Sequence, residues 1–181
     1  MAFKDEDDFV VSVSVVAPPE FDDGTREARG FVLSISAEGM VLNSYDDIPT
    51  QGKKASGVKL MKLDEKDRII FAQHNDGSGE VVNVSDSGYA KRVILGCIEP
   101  RMRMSKGVKL SDSKAGECIY ADLVTIPYDI ALIFPGGEVR SINTEDIPID
   151  ERTNKGKNII KAVAKDKNVM TISDAKRHNL A

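Results

Sequence analysis

Lysine and arginine side chains cluster at one equivalent position in three successive stretches of this chain. The windows 51–62, 100–110 and 152–162 each hold four basic residues and no acidic residue, and we call them the basic windows. Their cations are Lys53, Lys54, Lys59, Lys62, Arg101, Arg103, Lys106, Lys109, Arg152, Lys155, Lys157 and Lys161. A solvated surface normally mixes the two signs of charge, so a recurring acid-free window indicates a site for a polyanion. The alternative is a set of unrelated surface lysines.

The net charge of −4 does not exclude such a site, because the charge is unevenly distributed. Residues 1–30 carry three basic and eight acidic side chains, a balance of −5. Residues 31–181 carry 22 basic and 21 acidic side chains, a balance of +1. The acidity of the chain is therefore largely a property of its N-terminal segment.

Other residues with chemical potential lack the partners that catalysis or metal binding needs. His74 and His178 are the only histidines, and the sequence brings no further ligands to them. Asp46-Asp47 and Glu145-Asp146 could suggest acid–base catalysis. Both pairs precede Ile-Pro at the same position of a repeat, which favours a structural turn. We expect no catalytic residue, no metal and no cofactor.

The sulfur-containing side chains are predicted to pack in the interior. Cys97 and Cys118 have no metal-ligand spacing, so we expect two buried free thiols, with a disulfide as the minor alternative. Met102 and Met104 alternate with arginines and are expected to point inwards.

The chain repeats itself at a nearly constant interval. Gly39, Gly88 and Gly137 are 49 residues apart. The string Gly57-Val58-Lys59-Leu60 returns intact as Gly107-Val108-Lys109-Leu110 and decays to Gly156-Lys157-Asn158-Ile159. A period of this size is typical of stacked supersecondary units, none of which can bury its apolar face alone.

Within one unit the apolar residues alternate with a period of two, which predicts strands. Hairpins are predicted around turns at Gly39, Gly88 and Gly137. A third strand is predicted at 57–63, 107–110 and 156–163, and a fourth at 68–73, 117–124 and 168–172. Four short strands per unit are typical of a propeller blade, so the predicted fold is all-β.

The predicted organisation is an acidic segment at 1–25, blades at 26–76, 77–127 and 128–175, and a tail at 176–181. An extra strand is expected at 7–14, where the residues resemble the fourth strand of a unit. No apolar run approaches the length of a membrane span, and the acidic first residues do not resemble a secretory signal. We expect a cytoplasmic protein without a membrane partner.

Two strings resemble a known family. Residues 48–63, with the sequence IPTQGKKASGVKLMKL, and residues 87–92, with the sequence SGYAKR, are similar to the C-terminal repeats of the A subunit of bacterial type IIA topoisomerases, DNA gyrase and topoisomerase IV. The resemblance covers roughly residues 26–175.

This resemblance implies a β-pinwheel, a propeller-like disc whose blades exchange strands and whose basic rim binds and bends duplex DNA without sequence preference. It adds Lys91, Arg92 and Arg140 to the expected phosphate contacts. The module would be a non-catalytic accessory part of an ATP-dependent topoisomerase, associated with the bacterial nucleoid. The family's wrapping box has two glycines where this chain has Lys54 and Ala55, which implies binding without that intact box.

The family builds five or six blades, whereas this chain supplies about three. We therefore expect self-association into a six-blade ring, or docking on a topoisomerase core or on further repeats. The alternative function is a propeller-like scaffold that binds proteins and not DNA.

Overall fold

Three β-hairpins with glycine turns form the centres of three sheets. The computed structural model describes residues 9–15, 30–134, 137–159 and 171–174. The hairpins are β1 (Phe31–Ser36) with β2 (Met40–Tyr45), β4 (Glu80–Ser85) with β5 (Tyr89–Ile94), and β8 (Asp129–Ile133) with β9 (Val139–Asn143). Gly39, Gly88 and Gly137 have φ between +75° and +81°, a conformation that glycine adopts without steric cost. The predicted hairpins are confirmed.

A further strand pairs with the first strand of each hairpin. These outer strands are β3 (Ile69–Asn75) on β1, β7 (Cys118–Val124) on β4, and β11 (Thr171–Asp174) on β8, all antiparallel. They confirm the predicted fourth strands, although residues 168–170 lie outside the described part of the chain.

The other edge of a hairpin is paired by a strand from the next repeat. β6 (Val108–Lys109) adds to β2, and β10 (Lys157–Asn158) adds to β5, again antiparallel. Blade 1 is then the sheet β3-β1-β2-β6, blade 2 is β7-β4-β5-β10, and blade 3 is β11-β8-β9. β6 and β10 lie within two of the three predicted third strands, those at 107–110 and 156–163.

The predicted strand at 57–63 is wrong. These residues form no strand, although residues 57–60 have the same sequence as residues 107–110. A β-strand needs a partner for its backbone N–H and C=O groups. β6 finds its partner on the preceding blade, and the structure describes no blade before blade 1 to offer one to residues 57–60.

The extra strand predicted at 7–14 is also wrong over its described part, residues 9–14. This segment lies beside β3 and contacts it through the Ser12 hydroxyl, which donates to the carbonyl of Ala72 at 2.6 Å. Phe9 and Val13 are exposed, so their alternation with polar residues reflects no buried face. Residues 7 and 8 lie outside the described residues.

The hydrophobic core lies between neighbouring blades. One cluster joins blades 1 and 2 and includes Leu33, Val81 and Leu110. A second cluster joins blades 2 and 3 and includes Val82, Ile130 and Ile159. Because Val81 and Val82 are adjacent in β4 and enter different clusters, blade 2 is buried on both faces. Each blade therefore depends on its neighbour for burial, as the repeat predicted.

The sulfur-containing side chains depart from the prediction. Cys118 is a buried free thiol as expected, but Cys97 is exposed at the end of a 3₁₀ turn after β5. Met102 and Met104 are also exposed, because the turn that carries them lies on the surface. Burial raises the pKa of Cys118 to about 12, so this thiol stays protonated.

No helix of the described residues is long and apolar enough to span a membrane.

Two isoleucines test the contribution of strand exchange to stability. Ile159 follows β10, donates its N–H to the carbonyl of Gly88 at 2.9 Å and is 2% exposed. We expect Ile159→Ala to lower the free energy of unfolding by about 2–4 kcal/mol, through lost burial and a cavity. Ile126→Ala is the matched control, because Ile126 is 74% exposed, and it should cost less than about 0.5 kcal/mol. Urea denaturation measures both, and equal costs would contradict the role of the exchanged strand.

Candidate functional site

The second and third basic windows lie where the chain crosses from one blade to its neighbour, and the first connects two strands of blade 1. The window 100–110 leaves β5 of blade 2 and ends beyond β6 in blade 1. The window 152–162 follows β9 of blade 3 and includes β10 of blade 2, with residues 160–162 outside the described part. The window 51–62 follows β2 and runs as an irregular segment. Strand exchange thus places the second and third windows, and the first window occupies the equivalent position of its repeat without a strand.

Backbone hydrogen bonds join the first window to the second. The N–H of Lys62 donates to the carbonyl of Ser105 at 3.0 Å, and the N–H of Met104 donates to the carbonyl of Leu60 at 2.7 Å. The Arg103 guanidinium also donates to the carbonyl of Lys59 at 3.1 Å. The first two windows therefore form one continuous surface strip.

An arginine joins the third window to the second. The Arg152 guanidinium donates to the carbonyl of Lys109. Each window thus contacts the next, although the windows are about 50 residues apart in sequence.

Seven of the predicted cations are exposed and form no ion pair with any described residue. They are Lys53, Lys54, Lys59, Lys62, Arg101, Lys109 and Lys157. Like charges on a continuous strip raise its positive potential, which attracts anions most strongly at low ionic strength. A row of such cations can contact successive phosphates of a nucleic-acid backbone.

Four further predicted cations have partners at the surface. Arg103 pairs with Asp47 at 2.6 Å, Lys106 with Asp64 at 2.6 Å, and Arg140 with Glu138 at 2.5 Å. The ammonium of Lys155 lies 3.8 Å from the centre of the Tyr89 ring, a cation–π contact. Exposed ion pairs contribute little free energy, so Lys106 and Arg140 can exchange their carboxylate for a phosphate. Lys161 lies outside the described residues.

Lys91 does not fit its predicted role as a phosphate contact, because its side chain is 0% exposed. Its ammonium donates to the carbonyls of Glu151, Arg152 and Asn154 at 2.8, 2.7 and 2.5 Å. Burial lowers the pKa of Lys91 to about 8, and the nearby Asp150 opposes that shift. The group is therefore mostly protonated at neutral pH, when its three N–H donors match the three carbonyls. Lys91 holds the turn of the third window in place.

Arg92 also has a structural role that differs from its prediction. Its guanidinium pairs with Glu80 at 2.5 Å and donates to the carbonyls of Ile147 and Glu145 at 2.7 and 3.2 Å. It ties blade 2 to the loop that enters the third window.

One sequence signal could have identified the interior position of Lys91. Lys91 and the buried Leu42 both lie three residues after the turn glycine of their hairpins.

A hydrogen-bonded cluster of two tyrosines and a carboxylate lies between blades 2 and 3. The Tyr128 hydroxyl lies 2.5 Å from the Asp122 carboxylate, to which it donates, and 2.7 Å from the Tyr120 hydroxyl. Burial, followed by these hydrogen bonds, raises the pKa of Tyr128 well above its ordinary value. A raised pKa disfavours the phenolate, so this cluster packs two blades together and does not provide an activated nucleophile.

The described residues contain no group of three or more His, Cys, Asp or Glu side chains that could hold a metal. His74 lies within β3, with its Nε2 3.5 Å from the Asp46 carboxylate. His178 lies outside the described part of the chain.

Comparisons with known proteins agree with the resemblance found in the sequence. The model of the family described as "DNA gyrase C-terminal domain, beta-propeller" matches residues 30–74. The DNA gyrase A protein of Klebsiella oxytoca is 27% identical over 145 residues, which are 78% of this chain and 16% of that protein. The DNA gyrase A protein of Borrelia hermsii is 30% identical over 138 residues, 75% of this chain and 16% of that protein. The chain thus spans about a sixth of these relatives.

Solved structures share the fold. The C-terminal domain of DNA topoisomerase IV matches with a TM-score of 0.68 and 20% identity, covering 80% of this chain and 46% of that one. The DNA gyrase A C-terminal domain matches with a TM-score of 0.65 and 20% identity, covering 80% and 50%. The all-β pinwheel prediction and the resemblance to this family are confirmed.

The Lys91 contacts generate a stability prediction. Lys91→Met keeps the apolar stem but removes the ammonium, which leaves three carbonyls without this donor. We expect a loss of about 2–4 kcal/mol in the free energy of unfolding, since buried unsatisfied polar groups cost about 1–3 kcal/mol each and some carbonyls will find water. Lys54→Met, at an exposed position in the first window, should change stability by less than about 0.5 kcal/mol. Thermal and urea unfolding compare the two, and an unaffected Lys91→Met variant would contradict the assignment.

Proposed function

We propose that this chain, whose repeats and fold match those of the C-terminal domains of gyrase and topoisomerase IV, is a non-catalytic module that binds duplex DNA. Its three basic windows form the contact surface, and they bind phosphates without reading the bases. Binding takes place in the bacterial cytoplasm, where the module serves a type IIA topoisomerase core supplied by the same or another chain.

One observation carries this proposal. Each repeat has one cluster of cations, its basic window, and neighbouring windows contact one another. Backbone hydrogen bonds of Lys62 and Met104 join the first window to the second, and the Arg152 guanidinium joins the third to the second. The windows contain no acidic residue, and of their described cations only Arg103 and Lys106 pair with a carboxylate from outside the windows. Elsewhere the surface mixes signs, as in the cleft where Lys66 and Arg68 lie with Glu38 and Glu117. A strip of one sign that follows the blades suits a polymer with regularly spaced phosphates.

The exposed cations are long side chains on irregular segments and turns. Lysine offers a compact charge without the planar fork that recognises a base edge, and most of the seven exposed cations are lysines. The arginines that could read a guanine are mostly engaged with protein carbonyls and carboxylates, as Arg92 and Arg103 show. Recognition of the backbone is therefore favoured over recognition of sequence.

Fluorescence anisotropy with two duplexes of equal length and unrelated sequence tests the proposal. Both duplexes should bind with dissociation constants that agree within about threefold, a small difference beside the factor of about 10³ or more that separates specific from non-specific sites. If about six phosphates are neutralised, log affinity should fall with log salt at a slope of roughly −5. Failure of both duplexes to bind at low salt would overturn the proposal.

A matched pair of double variants tests the surface itself. Lys54→Gln with Lys109→Gln removes one exposed cation from each of two windows, while Lys66→Gln with Lys114→Gln removes two exposed cations outside the windows. Both change the net charge by the same amount. The first should reduce the magnitude of the salt slope by about 2 and the second should leave it unchanged. Equal losses in the two variants would mean that binding follows net charge and not the windows.

A protein-binding scaffold is the second candidate function. The exposed Met102 and Met104 favour it, because exposed methionines in the second window offer an adaptable apolar contact. The absence of duplex binding by the wild-type chain at low salt would support this candidate over the first.

A further inference from the structure

In the described part of the chain, blade 3 has no counterpart of the exchanged strands β6 and β10. β2 is covered by β6 and β5 by β10, but no described strand pairs with the outer edge of β9. The consequence is visible at equivalent residues. Val41 of β2 is 0% exposed, whereas Val139 of β9 is 60% exposed. Gly39 and Gly88 are buried at their turns, and Gly137 is exposed. We call this outer edge of β9 the acceptor edge.

One segment of the chain is a counterpart of β6 that joins no sheet of the described structure. Residues 57–60, the donor segment, have the sequence Gly-Val-Lys-Leu that residues 107–110 use to cover β2. Leu110 is buried in the core, whereas Leu60 is only partly buried and Val58 is exposed. The donor segment is therefore the counterpart of β6, without the contacts that β6 makes.

The glycine that opens each of these segments shows the same difference. Gly57, Gly107 and Gly156 all have positive φ, at +82°, +72° and +82°. A Cβ at Gly107 would lie 2.3 Å from the carbonyl oxygen of Val41, and one at Gly156 would lie 2.6 Å from that of Ala90. These glycines permit close approach to the strand that they join. A Cβ at Gly57 would meet nothing within 4 Å, so Gly57 has the docking conformation without a docked strand.

We propose that the donor segment of one copy of this chain adds to the acceptor edge of a second copy. The register follows from blade 1, where Lys109 lies opposite Met40, Val108 opposite Val41, and the N–H of Leu110 donates to the carbonyl of Gly39. By the same register Lys59 lies opposite Glu138, Val58 lies opposite Val139, and the N–H of Leu60 donates to the carbonyl of Gly137. The proposal requires no nucleic acid and is independent of the proposed function.

Charge and apolar surface both suit this pairing. Lys59 and Glu138 are opposite in sign, and both side chains are exposed in the single chain, where Glu138 pairs with Arg140. In the blade 1 register the corresponding pair lies next to the hydrogen-bonded Gly39–Leu110 pair, so it is a non-hydrogen-bonded pair with closely spaced side chains. Val58 would cover the exposed Val139.

A second copy of the chain is the occupant that satisfies both features at once. The described residues of each copy include one donor segment and one acceptor edge, so an exchange of donors between two copies uses both donors and both edges. Reciprocal exchange closes an assembly by two-fold symmetry, and closure prevents the growth of an open filament. The result is a ring of six blades made from two chains of three.

Trans disulfide formation tests the register. One chain carries Lys59→Cys and the other Glu138→Cys, both with Cys97→Ser because Cys97 is exposed. Mild oxidation of the mixture should yield a covalent dimer on a non-reducing gel, since a non-hydrogen-bonded pair brings the Cα atoms within disulfide range. Replacing Glu138→Cys by Val139→Cys, which points to the other face of the strand, should reduce the yield at least fivefold. Equal yields would overturn the register.

A single chain with both cysteines tests the closure. A closed dimer stops at twice the mass of the chain after oxidation, with two disulfides. A ladder of higher oligomers would overturn the closed ring, and an intramolecular disulfide in a monomer would overturn the second copy as the occupant.

Charge reversal tests the contact without cross-linking. Lys59→Glu and Glu138→Lys should each raise the dimer dissociation constant about fivefold, because each places like charges opposite one another. The double variant should return to within about twofold of the wild type, since it restores an opposite-charge pair. Sedimentation equilibrium of the full 181-residue chain measures these constants, and circular dichroism verifies folding. A wild-type chain that stays monomeric at all concentrations would overturn the proposal.

Discussion

The need to pair a strand edge controls this structure. A two-stranded hairpin leaves a row of N–H and C=O groups on each side, and these groups must find partners. Each hairpin of this chain meets the requirement with its own fourth strand on one side. On the other side blades 1 and 2 borrow a short strand from the following repeat. The blades are consequently not independent units, because each is completed by its neighbour.

Borrowed strands also determine where the charges lie. To deliver β6 or β10 the chain must cross from one blade to the preceding blade, and these crossing segments are the second and third basic windows. These segments bury residues such as Leu110 and Ile159 but expose many of their other side chains, which can therefore be cations. They must still be held in shape, and this requirement uses several of the charges internally. Lys91 fixes the turn of the third window, and Arg152 reaches back to the second.

One four-residue sequence, Gly-Val-Lys-Leu, occurs twice in the chain and has a different structure at each place. This difference shows how far the surroundings override local sequence. Gly107-Val108-Lys109-Leu110 lies against β2 and includes a strand, with Leu110 in the core between blades. Gly57-Val58-Lys59-Leu60 has no such edge beside it and forms no strand. The free energy of a short strand comes from its partner and from the burial that pairing brings, and little comes from the strand itself.

Repeat period, alternation and turn glycines were sufficient to predict the all-β fold, the three hairpins and the fourth strands, because these features are local. Local pattern also located the basic windows. It could not separate Lys91, which is enclosed by three carbonyls of another blade, from Lys54, which is exposed, because the enclosing groups are 60 to 63 residues away. Cys97, Met102 and Met104 were mispredicted for the same reason, since their exposure depends on how a crossing loop lies across two blades. What the sequence by itself determined is therefore the repeat unit and its charge pattern. Only the tertiary structure decided which edges are paired and which cations face solvent, because both depend on contacts between repeats.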